Sequence, residues 1–450
     1  MPPKSFRRLA LGLVIATALS AAPIAQARTV PFSDTRLGNG LRVIISEDHS
    51  APVYSLVVQY NVGSRDERRG RTGFAHLFEH MMFKGSENVG QNEHPYLIFM
   101  NGGSMNGTTN KERTMYYETL PANQLDLGLF LEADRMRSLA ITQANLDNQR
   151  NAVQEERRLG VDNQPYGKTF EVLDELAYEN FAYEHSVIGS MEDLSAATVA
   201  DVAAFFKTYY APNNAVIGLV GDVDTRTALA RIEKYFGAIP RQPAPAPLDV
   251  TEPAQTAERR RSLEDPLARL PRLDLAYKTP SSSSTDADAL NVLATILSDG
   301  RSSRFYESIV RTQQLSTGVG ASAGEARGPG LFRITATALP GRTLAELENA
   351  IDGEIARVQS APVESWELEK ARTAARRSLV NSLGSSLSKA MRLSQDALFY
   401  DSPGRINTQE ARIASVTTAD VQRVARQYLV KTGRTVVLTE PRPATSGGQR

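Results

Sequence analysis

The sequence predicts an α+β chain of two homologous domains, and three observations carry that expectation. Strand-like apolar runs alternate with helix-forming stretches along 450 residues, a length with room for more than one core. A proline-rich stretch, residues 240–262, divides the chain near its middle. The two sides of that stretch resemble each other: residues 55–64 match 272–281 at an offset of 217, and residues 201–209 match 420–428 at 219. Near-constant offsets across a whole half indicate a duplication.

The chain opens with Lys4, Arg7 and Arg8 ahead of an apolar run from Leu9 to Ala22. Ala25-Gln26-Ala27 follows, the small-x-small pattern of a cleaved signal peptide. Residues 1–27 are therefore expected to direct export and to be removed after Ala27. A retained anchor is the other reading, and the run is short for a membrane span. The full chain balances 51 basic against 51 acidic residues, without the basic footprint of a nucleic-acid binder. It has no cysteine, which excludes disulfides and thiolate ligands. Any metal must then be held by His, Asp or Glu. A bacterial periplasm is the expected compartment.

Residues 28–239 form the first predicted domain. Gly38-Asn39-Gly40 is a turn ahead of a strand over 41–45, and residues 53–62 make a longer strand. A charged loop, 65–71, feeds Gly73-Phe74-Ala75-His76-Leu77-Phe78-Glu79-His80-Met81-Met82-Phe83. As a helix at about 100° per residue, this run gathers His76, Glu79 and His80 in one sector. Phe74, Leu77, Phe78, Met81 and Met82 take the opposite side. Two imidazoles one turn apart can reach a single metal, and the carboxylate between them can act on a metal-bound water. The pattern is H-x-x-E-H, the reverse of H-E-x-x-H. A polar helix face with two incidental histidines stays open as a reading until a third ligand is found.

Residues 101–109 form a Gly-rich turn leading into 114–119, and two strands are expected there, one with an exposed edge. A helix spans 124–139. A second helix runs over 146–158, where Gln149, Val153 and Glu156 share a face. Glu156 is the candidate third ligand and Glu155 its direct competitor. A charged helix is otherwise only a solvated face.

Pro240, Pro243, Pro245, Pro247 and Pro253 exclude regular structure from the linker, and Arg259-Arg260-Arg261 reads as a solvated edge. The second domain, 263–445, provides an internal control. If Gly85 corresponds to Gly300, then His76, Glu79 and His80 fall opposite Asn291, Ala294 and Thr295. The second half keeps the apolar helix and lacks the ligands, as a scaffold closing a cleft would.

On residues 73–85, on Asn151-Ala152-Val153-Gln154-Glu155-Glu156-Arg157-Arg158 and on Asp299-Gly300-Arg301-Ser302-Ser303-Arg304, the chain resembles the pitrilysin/insulinase family of zinc metallopeptidases. It is most similar to the short members related to the mitochondrial processing peptidase, over roughly residues 36–440. The resemblance implies two domains, each a mainly antiparallel sheet covered by helices, facing across a cleft. It implies one Zn2+ per chain on His76, His80 and Glu156, with Glu79 as the base. It also implies that Asn106 and Gly107 lie on an edge strand that pairs with the substrate backbone. Many members carry a glutamate where this chain has Gln149. The family's second half usually holds substrate with an Arg and a Tyr; here Arg311 is present, while the Tyr position is Thr317 or, without a gap, Gly318.

The expected function is zinc-dependent endopeptidase action on peptides or unfolded segments, with no nucleic acid and no stable membrane span. The incomplete Arg–Tyr pair points to a heterodimer with a homologous subunit that carries both, with a homodimer as the next choice. The rival reading is a metal-binding, non-proteolytic subunit kept for assembly or for holding peptides.

Overall fold

The computed structural model describes residues 29–442. The expected export segment, 1–27, and the last three positions of the second domain's expected span lie outside them. Two mixed sheets organise the chain. The first contains β1 (Ser33–Arg36), β2 (Arg42–Glu47), β3 (Val53–Tyr60), β4 (Ser104–Thr109), β5 (Thr114–Pro121) and β6 (Ala215–Gly221), in the order β1-β2-β6-β3-β5-β4. The second contains β7 (Arg259–Asp265), β8 (Arg272–Thr279), β9 (Ser316–Ala323), β10 (Gly330–Ala338) and β11 (Arg434–Pro441), in the order β7-β11-β8-β10-β9. Each sheet has one parallel pair, β2 with β6 and β7 with β11, and is otherwise antiparallel. The register preserves the duplication. Tyr60 pairs with Ala215 and Tyr277 with Arg434, so the offsets of 217 and 219 become equivalent positions in the two sheets.

The helices of the first half are α1 (Phe74–Met81), α2 (Glu93–Met100), α3 (Leu125–Arg137), α4 (Gln143–Arg157), α5 (Thr169–Ala177), α6 (Phe181–Glu184), α7 (Met191–Ser195), α8 (Val199–Tyr209) and α9 (Thr225–Phe236). Those of the second are α10 (Ala287–Ser298), α11 (Leu344–Ser360), α12 (Ser365–Ser382), α13 (Ser386–Tyr400), α14 (Gln409–Ser415) and α15 (Thr418–Tyr428). No helix among the described residues is long and apolar enough to cross a membrane.

β3 shows how the sequence dictates the layers. Tyr54, Leu56, Val58 and Tyr60 alternate onto one face and enter the main core with residues of α1, α3, α8 and α9. Ser55 and Gln59 point the other way, and the sequence reads that face as polar. The structure covers it with α13 from the far half. Gln59 Nε2 donates to Ser394 Oγ at 2.7 Å and to the Met391 carbonyl at 3.1 Å, and Ser55 bonds Ser386 through their hydroxyls at 2.9 Å. The polar positions are thus buried with partners on α13, Gln59 through its amide nitrogen, while Gln59 Oε1 is buried without a partner among the described residues. Gly218 on β6 permits this closeness, since a Cβ there would lie 2.6 Å from the Ala390 carbonyl. The exchange is reciprocal: α5 of the first half packs Leu173 and Ala177 on the second sheet against Ala276, Leu331 and Val437.

Residues 240–258 contain no helix or strand, but β7 begins at Arg259, inside the stretch read as linker. Its residues alternate between half-buried and exposed, the period of an edge strand, and Arg260 and Arg261 pair with Glu348 and Glu175. Composition around the prolines hid that alternation.

Candidate metal centre

α1 is capped at its start by Gly73, which sits in the left-handed region at φ 85° and could not carry a side chain, because a Cβ would lie 2.5 Å from the Ile188 carbonyl. Its apolar side then buries as the periodicity predicts. Phe78 packs on Tyr210 with ring centroids 4.2 Å apart, and Phe74 on Phe205 at 6.4 Å. The other side presents His76 and His80, rings 4.8 Å apart and nearly perpendicular.

α4 crosses α1 and brings the carboxylate. Thr142 caps its start by accepting from the Asn145 N–H, and Leu146, Gln149 and Val153 bury against the core side. One turn further, Glu156 Oε2 lies 3.3 Å from His80 Nε2 and 3.7 Å from His76 Nε2. Glu155 points away and accepts from Arg158 at 3.0 Å. Of the two candidates, the fold brings Glu156 to the histidines. Gln149 meets His80 on the same face.

Burial and the neighbouring His80 hold His76 down at about 4, and burial likewise lowers His80. Both imidazoles are therefore neutral near pH 7, the form that ligates metal. His76 Nδ1 is buried with no hydrogen-bond partner among the described residues. Two neutral imidazoles and a carboxylate, one atom from each within 4.8 Å of the others, stand farther apart than good hydrogen bonds and close enough to surround one ion. This donor set fits zinc, and three ligands would leave a fourth position open.

Glu79 lies beside the triad under β4. Thr109 Oγ1 donates to its Oε2 at 2.5 Å, and a Cβ on Gly107 would come within 2.9 Å of its Oε1. Burial pushes the Glu79 carboxyl up to about 7, against the hydrogen bond from Thr109 and with help from the Glu156 charge. Thr109 was not singled out by the sequence. Its signal is the strand period, since it stands two residues beyond Gly107 on the same face. β4 is the outer strand of its sheet. On it Asn106 is exposed, and its side-chain oxygen accepts from the Gly107 N–H at 2.8 Å. Arg311 is not brought to the triad. It is exposed at residues 306–312, ion-paired with Glu307, and Thr317 is exposed on β9.

Residues 42–190 match the model described as insulinase (peptidase family M16), and residues 196–375 match the model described as the peptidase M16 inactive domain. The chain is a member of the pitrilysin/insulinase family. This M16 chain is 28% identical to the zinc protease PqqE of Helicobacter pylori over 439 residues, 97% of this chain and 98% of that one. It superposes on the crystal structure of a Helicobacter pylori protease with a TM-score of 0.88 at 27% identity, covering 92% of this chain and 100% of that one. The periplasmic protease PqqL of Escherichia coli shares the fold at 20% identity and a TM-score of 0.76; there 92% of this M16 chain covers 48% of the longer chain.

A second His/Glu cluster, His94, Glu118 and Glu132, is sealed in the core. Arg135 already bonds both oxygens of Glu132. Burial holds His94 neutral and raises Glu118 well above the usual carboxylate range. With a single proton on Glu118 the cluster is neutral, while His94 Nε2 and both Glu118 oxygens are buried without a hydrogen-bond partner among the described residues.

Proposed function

We propose that this chain is a zinc-dependent endopeptidase that cuts extended peptides and unfolded segments. The observation that carries the reading is the convergence of His76, His80 and Glu156 beside Glu79, directly under the open edge of β4. Zinc, when bound by the three residues, supplies a Lewis acid for the scissile carbonyl and lowers the pKa of a coordinated water to about 7.

Glu79 takes a proton from the attacking water and returns it to the leaving amine. Its carboxyl is aimed by the Thr109 hydroxyl and kept from solvent by the Gly107 backbone. Substrate binds as an added strand along β4. There the Gly107 N–H, bonded to Asn106 in the free chain, is a donor for a substrate carbonyl. Backbone pairing tolerates varied side chains and demands a flexible substrate.

Export to the periplasm and one zinc per chain belong to the same reading. So does pairing with a second two-domain chain, a heterodimer ahead of a homodimer, in which Arg311 and the partner's wall hold the peptide. Occurrence of this fold as about half of a longer chain supports a paired arrangement. The test is hydrolysis of a quenched, flexible peptide by the purified chain, with and without a co-purifying relative. Activity should vanish on chelation and return with zinc. Stoichiometric zinc with no cleavage under either condition would favour the non-proteolytic, peptide-holding subunit instead.

A further inference from the structure

The zinc reading leaves unexplained how two helices from separate parts of the chain keep their ligands in register. α1 has eight residues, too few to hold its own geometry in water, and carries both histidines. α4 carries Glu156 and contacts α1 along one face. A metal site tolerates errors of only about 0.5 Å in ligand position.

One segment, residues 185–197, is bonded to both helices. Toward α1, its first contact is His185. The ring Nε2 lies 3.0 Å from Glu67 Oε2 and 2.9 Å from the Ser64 carbonyl, and Nδ1 lies 2.7 Å from the Phe181 carbonyl. Glu67 has a fully buried side chain and spends both oxygens on the start of α1, accepting from the Gly73 N–H and the Ala75 N–H at 2.8 Å each. Further along, Gly189 at φ 75° lies flat on Gly73, since a Cβ there would come within 2.4 Å of Gly73 N and of the Thr72 carbonyl group. Asp193 then accepts from Thr72 at its N–H (2.9 Å) and hydroxyl (2.6 Å).

Toward α4, the same segment offers its carbonyls. Arg157, the residue after Glu156, donates through Nη1 to the Gly189 carbonyl at 2.6 Å, and Glu171 accepts from the same Nη1 at 2.7 Å and from Nη2 at 3.0 Å. Arg150 donates to the carbonyls of Ala197 (2.6 Å) and Leu194 (3.1 Å), and Gln154 to the Ser195 hydroxyl (2.8 Å). Gly189 is therefore both the floor under Gly73, the cap of α1, and the acceptor for the residue adjoining the third ligand.

We propose that residues 185–197 form a bracket that sets the spacing between the two ligand-bearing helices, with Glu67, His185 and Arg157 as its positioning residues. None of the three touches the triad; they act through the backbones that carry it. The inference rests on the zinc reading, and the experiment separates the two.

The experiment is zinc affinity of the full-length chain, measured by competition with a chromogenic chelator well below the unfolding temperature, alongside thermal unfolding of the metal-free protein. Arg157→Met and His185→Gln should each weaken zinc about 10- to 100-fold, the range lost when groups that orient metal ligands are removed. A purely structural role would lower the unfolding temperature and leave the affinity of the folded chain unchanged. Arg304→Met, which removes a comparable bidentate pair with Glu367 in the second half, is the control and should leave affinity within about twofold. If Arg157→Met does not fold, Arg157→Lys keeps the charge, loses the fork, and should still fall below wild type. Affinities of the His185 and Arg157 variants equal to wild type, with zinc abolished in His80→Ala, would overturn the bracket alone. Unchanged zinc in His80→Ala would overturn the metal assignment beneath it.

Discussion

Five strands of the first sheet, β2 to β6, have counterparts in the same order in the second, yet among the described residues only the first half sets two histidines and a glutamate together on the helices beside them. Following the pairings across each sheet, Gly107 of β4 occupies the position of Ala321 on β9, and Thr109 that of Ala323. Each corresponding helix is followed by a glycine of positive φ, Gly85 and Gly300, and matching the two sets His76, Glu79 and His80 opposite Asn291, Ala294 and Thr295. Where Glu79 lies under the strand, the strand has a glycine to clear it and a hydroxyl to bond it. In the second half, where the sequence correspondence sets Ala294 opposite Glu79, the strand has alanine at both places. The polar groups of the second helix turn inward on themselves: Asn291 donates to the Ala287 carbonyl and Thr295 to the Asn291 carbonyl, each at 3.0 Å. Beside them a cavity of about 590 Å³ is lined by Glu325, Arg392 and Arg405 among others, with no histidine. The fold supplies a helix under an edge strand; four or five side chains decide whether that place is a metal centre.

The sharpest break of this comparison is ligand removal on each side. His80→Ala or Glu156→Ala should cut zinc affinity by more than about 100-fold and abolish peptide cleavage, whereas Asn291→Ala and Thr295→Ala should leave both within about twofold. Metal content by mass spectrometry and a peptide assay read the contrast. Equal losses from both sides would dissolve it.

Next in size is packing. Leu393 on α13 is fully buried against the first sheet although it belongs to the second half. Leu393→Ala should cost about 2–5 kcal/mol and lower a single cooperative denaturant transition, because each sheet borrows a helix from the other half. Two separate transitions, with only the second shifted, would show the halves to be independent.

The strand glycine gives a smaller and more local effect. Gly107→Ala should retain zinc and slow cleavage by about 10-fold or more, because its Cβ meets Glu79, while Ala321→Gly should change neither. Unaltered turnover in Gly107→Ala would remove the reason offered for the glycine.

The smallest expected effect concerns pH and the core of the first half. Burial raises the folded pKa of Glu118 above its unfolded value of about 4.3. The stability this contributes is full below that value and is lost as pH rises through the folded one. Glu118→Gln cannot ionise, so its unfolding free energy should gain on wild type between about pH 5 and pH 8. A constant difference over that range would mean that Glu118 is not the group responsible.

Much of this was legible in the chain. The H-x-x-E-H spacing, the strand runs and the repeat offsets are local patterns, and local patterns survive into the fold. The choice between Glu155 and Glu156 was not settled by periodicity, because adjacent residues differ by only about 100° on a helix and either could lean inward. The crossing of α4 over α1 decides it. Strand β7, the exchange of α5 and α13 between sheets, and the His185–Glu67 contact all join residues far apart in sequence, and no window of neighbouring residues encodes them. Arg311 was legible as a basic residue at a matching position, but among the described residues its ion pair is with Glu307, four positions before it.

The central claim is that Glu79 does chemistry beside a metal it does not hold. Its most direct test is Glu79→Gln, with zinc content and peptide turnover measured on the same preparation. One zinc per chain, as in wild type, is expected, with turnover reduced by about 10²- to 10⁴-fold, the usual contribution of a general base. Turnover at the wild-type rate with zinc in place would contradict it.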